Sequence, residues 1–157
     1  MRAIAAMSMN RVIGKNGTIP WHFSEDMKWF RKLTSDPYIG GYLLMGRKTF
    51  ESLGVLPNRF IYILTNDKMK CGLITKNYRY LTEEEFNQMT RPILRTWVCG
   101  GASVYEKFIH QCSEVYLTLV LDNEIEGDAF MPEFEHLFPN SEIIKETKHY
   151  WFLRYWK

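Results

Sequence analysis

The sequence predicts an α/β fold, a single domain whose mixed, mostly parallel central sheet is flanked by helices and ends in a C-terminal antiparallel hairpin. Short apolar segments alternate with segments of helical periodicity, a pattern typical of parallel sheets. The last two apolar segments, 143–147 and 150–156, have no helix between them and therefore predict the hairpin at one edge. The length of 157 residues, with no repeat or linker, predicts one domain spanning 1–157.

The predicted strands share continuous apolar runs, which are typical of strands buried on both faces. Before the hairpin they are residues 2–8, 42–45, 60–64, 96–99 and 115–120. Residues 66–80 are polar and predicted to be irregular, apart from a short strand near Leu73 and Ile74. Residues 9–19, which contain Gly14 and Gly17, are predicted to form a flexible loop.

The predicted helices are residues 25–34, residues 50–53 opened by 47–49, residues 82–89, and a segment after Gly100-Gly101. Ser24 is the expected cap of the first helix. Thr82 and Glu85 have the spacing of a capping box. The last of these helices carries Val104, Tyr105, Phe108 and Ile109 on one face.

Asp26 is the candidate acid. It follows Ile19-Pro20-Trp21 in the first turn of the first predicted helix, where a carboxylate suits the helix dipole. Because Phe30 lies four residues on, with Met27 adjacent, the carboxylate shares a face with apolar side chains. We expect such a carboxyl to have a raised pKa and to transfer a proton near neutral pH. The alternative is a helix-capping acid that stays in water.

Three strand-to-helix junctions favour a ligand that carries phosphate. They are 45–49, with Arg47 and Lys48, 64–66, with Lys68 close behind, and 99–103. Helix N-termini offer free N–H groups, and open α/β sheets bind ligands at the carboxyl ends of their strands. None is a P-loop or a full GxGxxG motif, so each alone also fits an ordinary turn.

Composition excludes several classes of function. A net charge of +2 gives no reason to expect nucleic acid or anionic lipid as a partner, and no apolar run is long enough to span a membrane. The three cysteines form no CxxC pair, which favours reduced thiols and a cytoplasmic location. The four histidines lack metal-ligand spacing, so we expect no metal site. No feature demands a partner, and we expect a monomer.

Short motifs follow one another in order along almost the whole chain. They are Ile4-Ala5-Ala6, Arg11-Val12-Ile13-Gly14, Ile19-Pro20-Trp21, Asp26, Met45-Gly46-Arg47-Lys48-Thr49-Phe50-Glu51-Ser52, Leu56-Pro57-Asn58-Arg59, Gly100-Gly101, Val104-Tyr105, Tyr116-Leu117-Thr118 and Glu126-Gly127-Asp128. In order and spacing they resemble the dihydrofolate reductase family. The resemblance implies reduction of 7,8-dihydrofolate to tetrahydrofolate by hydride transfer from NADPH, in support of one-carbon metabolism, and binding of antifolate inhibitors.

The resemblance also implies roles at the substrate. Asp26 is the ionisable group at the pterin, Thr118 braces its carboxylate, and Trp21 holds an ordered water. Arg59 pairs with the glutamate carboxylate of the substrate, assisted by Arg31. The implied walls around the pterin and benzoyl rings are Ile4, Ala5, Met27, Phe30, Leu53 and Cys99, where Cys99 replaces the family's usual branched aliphatic residue.

At the cofactor, the resemblance implies that Arg47, Lys48 and Asn66 lie near the 2′-phosphate and that Thr49 and 100–103 contact the pyrophosphate. It also implies a cis Gly100–Gly101 bond. The other implied cofactor-binding residues are Ala6, Ile13, Gly14, Gly17, Thr18, Ile19, Gly46, Leu64, Thr65, Val104 and Tyr105, and 100–103 comprises Gly100, Gly101, Ala102 and Ser103. Residues 9–19 match a mobile loop over the nicotinamide. Asp128 either steadies this loop or is a simple turn residue.

Two alternatives remain open from the sequence. One is an NADPH-dependent reductase of a riboflavin-pathway pyrimidine, and the other is a non-catalytic nucleotide-binding module. Asp26 beside Trp21, together with Arg59 after a Leu-Pro turn and Thr118, argues against both.

Overall fold

A computed structural model describes residues 1–89 and 93–157. The strands are β1 Arg2–Ser8, β2 Val12–Gly14, β3 Tyr42–Gly46, β4 Phe60–Leu64, β5 Tyr78–Leu81, β6 Thr96–Val98, β7 Glu114–Val120, β8 Ala129–Phe130, β9 Asn140–Glu146 and β10 Tyr150–Trp156. The helices are α1 Ser24–Thr34, α2 Arg47–Leu53, α3 Glu83–Asn87 and α4 Ala102–Phe108, with short 3₁₀ turns at Ile93–Arg95, Ile109–Gln111 and Glu135–Leu137.

Eight of these strands form one sheet in the order β5-β4-β3-β6-β1-β7-β10-β9. The pairs from β5 across to β7 are parallel, whereas β10 runs antiparallel to both β7 and β9. The predicted fold class and the antiparallel C-terminal hairpin are therefore confirmed. β2 and β8 form a separate two-stranded sheet.

Each face of the large sheet carries its own apolar layer. Along β3, Leu43 and Met45 belong to one layer and Leu44 to the other, since successive side chains in a strand point to opposite faces. Phe30 of α1 packs on the first layer, and Phe108 of α4 belongs to the second. Burial on both faces explains why the continuous apolar runs predicted strands correctly.

The prediction for residues 66–80 is wrong in part. Tyr78–Leu81 is an edge strand that pairs in parallel with β4, and the expected strand near Leu73 and Ile74 is only an isolated bridge between Ile74 and Arg79. Arg79 interrupts the apolar pattern, but Tyr80 and Leu81 are buried against the sheet. The alternation of tyrosine and arginine is a strand signal, but it is too short to have separated this segment from the polar stretch before it.

The prediction that residues 9–19 form only a flexible loop is also wrong in part, because Val12–Gly14 is the strand β2. It pairs with Ala129–Phe130, more than a hundred residues away. At Gly127, beside this pairing, a Cβ atom would lie 2.2 Å from Val12 Cγ1. The close approach of the two segments therefore requires glycine there.

Helix ends match the sequence patterns unevenly. The capping box of Thr82 and Glu85 is present, although α3 ends at Asn87 and not near Met89. Ser24 does not cap α1: it is the first helical residue, Phe23 occupies the N-cap, and no side chain makes a capping hydrogen bond. Within residues 1–89 and 93–157, no helix has the length and apolarity needed to cross a bilayer.

Candidate active site

A cleft of about 920 Å³ follows the carboxyl ends of β3, β4 and β6 and the middle of β1. Helices α1 and α2, the start of α4 and the loop after β2 complete its walls. Among the predicted site residues, all line this cleft except Trp21, Arg31, Arg59 and Thr118. The parallel sheet thus brings the three predicted junctions to one edge.

Asp26 and Thr118 form the polar centre of the apolar end of the cleft. Thr118, fully buried in β7, donates a hydrogen bond from its hydroxyl to Asp26 Oδ1 at 2.5 Å. Burial raises the pKa of Asp26, and the hydrogen bond from Thr118 lowers it by less. The expected raised pKa is therefore confirmed, and the alternative of a capping acid in open water does not fit.

Tertiary contacts hold the first turn of α1 where a cap was expected. The ring of Phe23 lies 4.7 Å from that of Tyr150 on β10. Glu25 accepts hydrogen bonds from the Tyr150 hydroxyl and from Lys145 Nζ on β9. The C-terminal hairpin therefore anchors the first turn of α1 through side-chain contacts.

Trp21 lies outside the cleft lining, but its indole N–H is a hydrogen-bond donor without a partner in the described part of the chain. Its Nε1 is buried and has no hydrogen-bond partner within the described part of the chain. A buried N–H without a partner is costly, and such groups commonly mark a place where another molecule is bound. The side chain is thus able to hold a small polar molecule.

Arg59 is buried and turned toward α1. Its Nε donates to the Pro57 carbonyl at 3.0 Å, its Nη1 donates to Thr34 Oγ1 at 3.1 Å, and its guanidinium lies 5.8 Å from the Phe30 ring centre. Across residues 1–89 and 93–157, no carboxylate lies within ion-pair distance of it. Two bonds leave further N–H groups free. Arg31 is exposed in the last turn of α1.

The opposite part of the cleft is basic and contains glycines, whose backbone is not covered by side chains. Arg47 and Lys48 open α2, and Arg47 Nη1 donates to Glu51 at 2.8 Å and 3.1 Å. The Gly100–Gly101 bond is cis, and Gly100 has φ +94°. A Cβ on Gly100 would lie 2.8 Å from Tyr105 Cε2, so this turn has no room for a side chain. Cations and exposed backbone together suit a diphosphate.

The segment 126–128 pins the loop after β2. Lys15 Nζ lies 2.7 Å from Glu126 Oε2, and the Asn16 backbone N–H donates to Asp128 Oδ2 at 2.9 Å. The Asp128 N–H donates to the Gly14 carbonyl at 3.0 Å. Asp128 therefore steadies this loop and is more than a simple turn residue.

Several cleft residues were not predicted to have a site role. They are Asn16, Ser52, Glu83, Lys107 and Ala129, and Asp128, expected only at the loop, also lines the cleft. Ser52 could have been found by helical spacing, since it lies one turn after Lys48. Glu83 and Lys107 form an ion pair between α3 and α4, and no local pattern relates them. The residues described by the structure include no cluster suited to a metal ion.

A basic, glycine-rich end and an apolar end with one buried carboxyl share a single cleft at the edge of a parallel sheet. This arrangement is typical of an α/β protein that binds a phosphate-bearing ligand at the carboxyl ends of its strands. The family model described as dihydrofolate reductase matches residues 1–150. The chain belongs to the dihydrofolate reductase family.

Relatives and a solved structure agree with the family model. The dihydrofolate reductase of Bacillus subtilis (strain 168) is 33% identical, with 98% of this chain and 92% of that protein covered. The dihydrofolate reductase of Enterococcus faecium is 34% identical, with 90% and 81% covered. A structure of dihydrofolate reductase from Enterococcus faecalis complexed with NADP(H) and RAB-propyl superposes with a TM-score of 0.75 at 27% identity, covering 99% of this chain and 94% of that one.

Proposed function

We propose that this chain reduces 7,8-dihydrofolate to 5,6,7,8-tetrahydrofolate with NADPH. The observation that carries the proposal is Asp26, a largely buried carboxyl hydrogen-bonded to Thr118 in the same cleft as the basic, glycine-rich junctions. Family membership and the NADP(H) bound to the Enterococcus faecalis structure support both substrate and cofactor.

Asp26 binds the polar edge of the pterin and assists the protonation of N5. Its pKa is raised by burial, so a larger fraction of the carboxyl is protonated near neutral pH than in water. Ile4, Met27 and Phe30, all on the cleft wall, exclude water from the pterin and benzoyl rings. The free N–H of Trp21 holds a water beside them.

The cofactor residues fit a dinucleotide that carries an extra phosphate. NADPH supplies a hydride for C6 of the substrate when it is bound. Arg47 and Lys48 would hold its 2′-phosphate, and the backbone of 100–103 would hold its diphosphate, where a side chain at Gly100 would meet Tyr105. The loop steadied by Asp128 shields the site from water.

Arg59 recognises the glutamate carboxylate of the substrate. The bonds to Pro57 and Thr34 fix its guanidinium in one orientation, and its remaining N–H groups are available for a carboxylate. Arg31, exposed in the last turn of α1 and close enough in space for its charge to act on Arg59, assists through its charge.

We further propose a single-domain, cytoplasmic monomer that binds antifolate inhibitors in the same cleft. One continuous sheet that uses both the first and the last strand supports a single domain. The unpaired Cys71, Cys99 and Cys112 support a reducing compartment. Neither a riboflavin-pathway pyrimidine nor a non-catalytic role is favoured, given the family match and the Asp26–Thr118 pair.

The test is a substrate and cofactor comparison on the purified chain. We expect oxidation of NADPH with dihydrofolate, much slower oxidation of NADH, and no turnover with the ribosyl pyrimidine of riboflavin synthesis. Turnover of the pyrimidine, or binding of NADPH without any turnover of dihydrofolate, would contradict the proposal.

A further inference from the structure

Glu25, which precedes Asp26, is held by two residues of the C-terminal hairpin. Its Oε1 accepts from Lys145 of β9 and its Oε2 accepts from the hydroxyl of Tyr150 on β10. Glu25 does not line the cleft. We name Glu25, Lys145 and Tyr150 the hairpin clamp.

The hairpin clamp and the Asp26–Thr118 hydrogen bond involve adjacent strands. β10 pairs with β7, so that Tyr150 lies opposite Val120 and Phe152 lies opposite Thr118. Glu25 is bonded to β10, while Asp26 is bonded to Thr118 on β7. Two consecutive residues thus tie the first turn of α1 to two strands that are hydrogen-bonded to each other.

No other local device fixes this turn. The N-cap Phe23 offers no side-chain hydrogen bond, so the helix start depends on tertiary contacts. One turn further on, Trp29 stacks on Phe152 at 4.1 Å between ring centres, which holds the middle of α1. The start of α1 is held by the Phe23–Tyr150 ring contact, the Asp26–Thr118 bond and the clamp.

We propose that Glu25 is a positioning residue, which acts through Tyr150 and Lys145 to keep Asp26 buried and bonded to Thr118. The consequence for turnover rests on the proposed reductase function, whereas the consequence for Asp26 itself does not.

The surroundings of Asp26 give the sign of the effect. No described cation lies within ion-pair distance of Asp26, and the titratable groups that its charge reaches on other elements are Tyr105 of α4 and Tyr150 of β10. On α1 itself, Lys28 acts on Glu25. Burial raises the pKa of Asp26 more than Thr118 lowers it. A loosened first turn admits water, so the pKa of Asp26 falls toward that of an ordinary carboxyl.

The two arms of the clamp differ in strength. Tyr150 is 8% exposed, whereas the side chains of Lys145 and Glu25 are 46% and 44% exposed. Water and salt screen an exposed ion pair, so the hydroxyl of Tyr150 carries the larger share.

The test compares Tyr150→Phe, Glu25→Gln and Lys145→Gln with a control on the same hairpin. Glu142→Gln is the control, because Glu142 pairs with Arg154 at 3.3 Å and makes no bond to α1. Two quantities are measured: the pKa of the Asp26 carboxyl by carbon NMR in the unliganded protein, and single-turnover hydride transfer with NADPH and dihydrofolate.

We expect Tyr150→Phe and Glu25→Gln to lower the pKa of Asp26 and to slow hydride transfer at neutral pH roughly 3- to 10-fold. This is less than the roughly 100-fold loss of rate that a misplacement of a reacting group by about 1 Å causes. Lys145→Gln has a smaller effect, Glu142→Gln has none, and the KM for NADPH stays the same. Glu25→Gln gives the readout by itself if Tyr150→Phe does not fold.

An unchanged pKa of Asp26 in both Tyr150→Phe and Glu25→Gln overturns the proposal, as does an equal shift in the Glu142→Gln control. A lowered pKa in a chain whose wild type does not reduce dihydrofolate supports the clamp and overturns the proposed function instead.

Discussion

Replacement of Gly127 by alanine is expected to force the β2–β8 sheet apart. The new Cβ would lie 2.2 Å from Val12 Cγ1, 3.1 Å from Val12 Cγ2 and 2.7 Å from the Gly14 carbonyl oxygen. Carbon atoms pack at about 3.5–4.0 Å, so β2 must move by about 1 Å or more. Because β2 leads into the loop that lines the cleft, the movement reaches the cofactor site.

The cost follows from crowding alone, since Gly127 has a backbone conformation that alanine accepts. Overpacking of this kind destabilises a protein by about 1–3 kcal/mol. That corresponds to a roughly 5- to 150-fold fall in the ratio of folded to unfolded chains. We expect NADPH affinity to fall as well, because the bonds of the loop to Asp128 are displaced.

Urea unfolding and NADPH titration by fluorescence measure the two effects. Gly72→Ala is the matched control: Gly72 has φ +85° and nothing within 4 Å, so alanine there costs about 1–2 kcal/mol of backbone strain and leaves NADPH affinity unchanged. Gly127→Ala should cost less stability in a Val12→Ala background than in wild type, because two of the three contacts disappear. Wild-type stability and NADPH affinity in Gly127→Ala would refute this reasoning.

Three further predictions concern the cleft. Arg59→Lys should raise the KM for dihydrofolate about 10-fold or more, through loss of a charge-assisted bond of about 1.5–3 kcal/mol, and should not affect a pterin substrate without glutamate; equal effects on both substrates would exclude the role of Arg59. Arg47→Gln should raise the KM for NADPH roughly 3- to 10-fold while leaving that for NADH unchanged, and a change of both by one factor would count against 2′-phosphate recognition. Between the ordinary carboxyl pKa and the raised pKa of Asp26, the folded chain binds more protons than the unfolded chain, so the free energy of unfolding should fall as pH rises. Urea unfolding at several pH values in that window should show a smaller pH dependence of this free energy in Asp26→Asn than in wild type. An equal pH dependence in both proteins would contradict the prediction.

Most of the sheet could be predicted because its strands are buried on both faces. The runs at 42–45 and 60–64 are apolar without interruption, and their central residues are buried in the sheet. β2 and β5 escaped prediction because they are short and depend on partners: Val12–Gly14 pairs with residues far along the chain, and Arg79 breaks the pattern of β5. Local periodicity carries no information about such pairings.

The site could be predicted where its chemistry follows from local sequence. Asp26 on an apolar helix face already implied a raised pKa, and the geometry supplies the cause. The expected Ser24 cap failed because the Phe23–Tyr150 contact and the bonds of Glu25 fix the start of α1 from the other end of the chain. The Glu83–Lys107 pair was missed for the same reason, since α3 and α4 meet only in the folded chain.

The proton role of Asp26 is tested most directly by the pH dependence of NADPH oxidation with dihydrofolate, measured for wild type and Asp26→Asn side by side. We expect rapid turnover in wild type and, in Asp26→Asn, a large loss at neutral pH that lessens as the pH falls, because solvent then supplies the proton. Equal rates for both proteins at neutral pH would contradict the assignment of Asp26 as the group that assists protonation of N5.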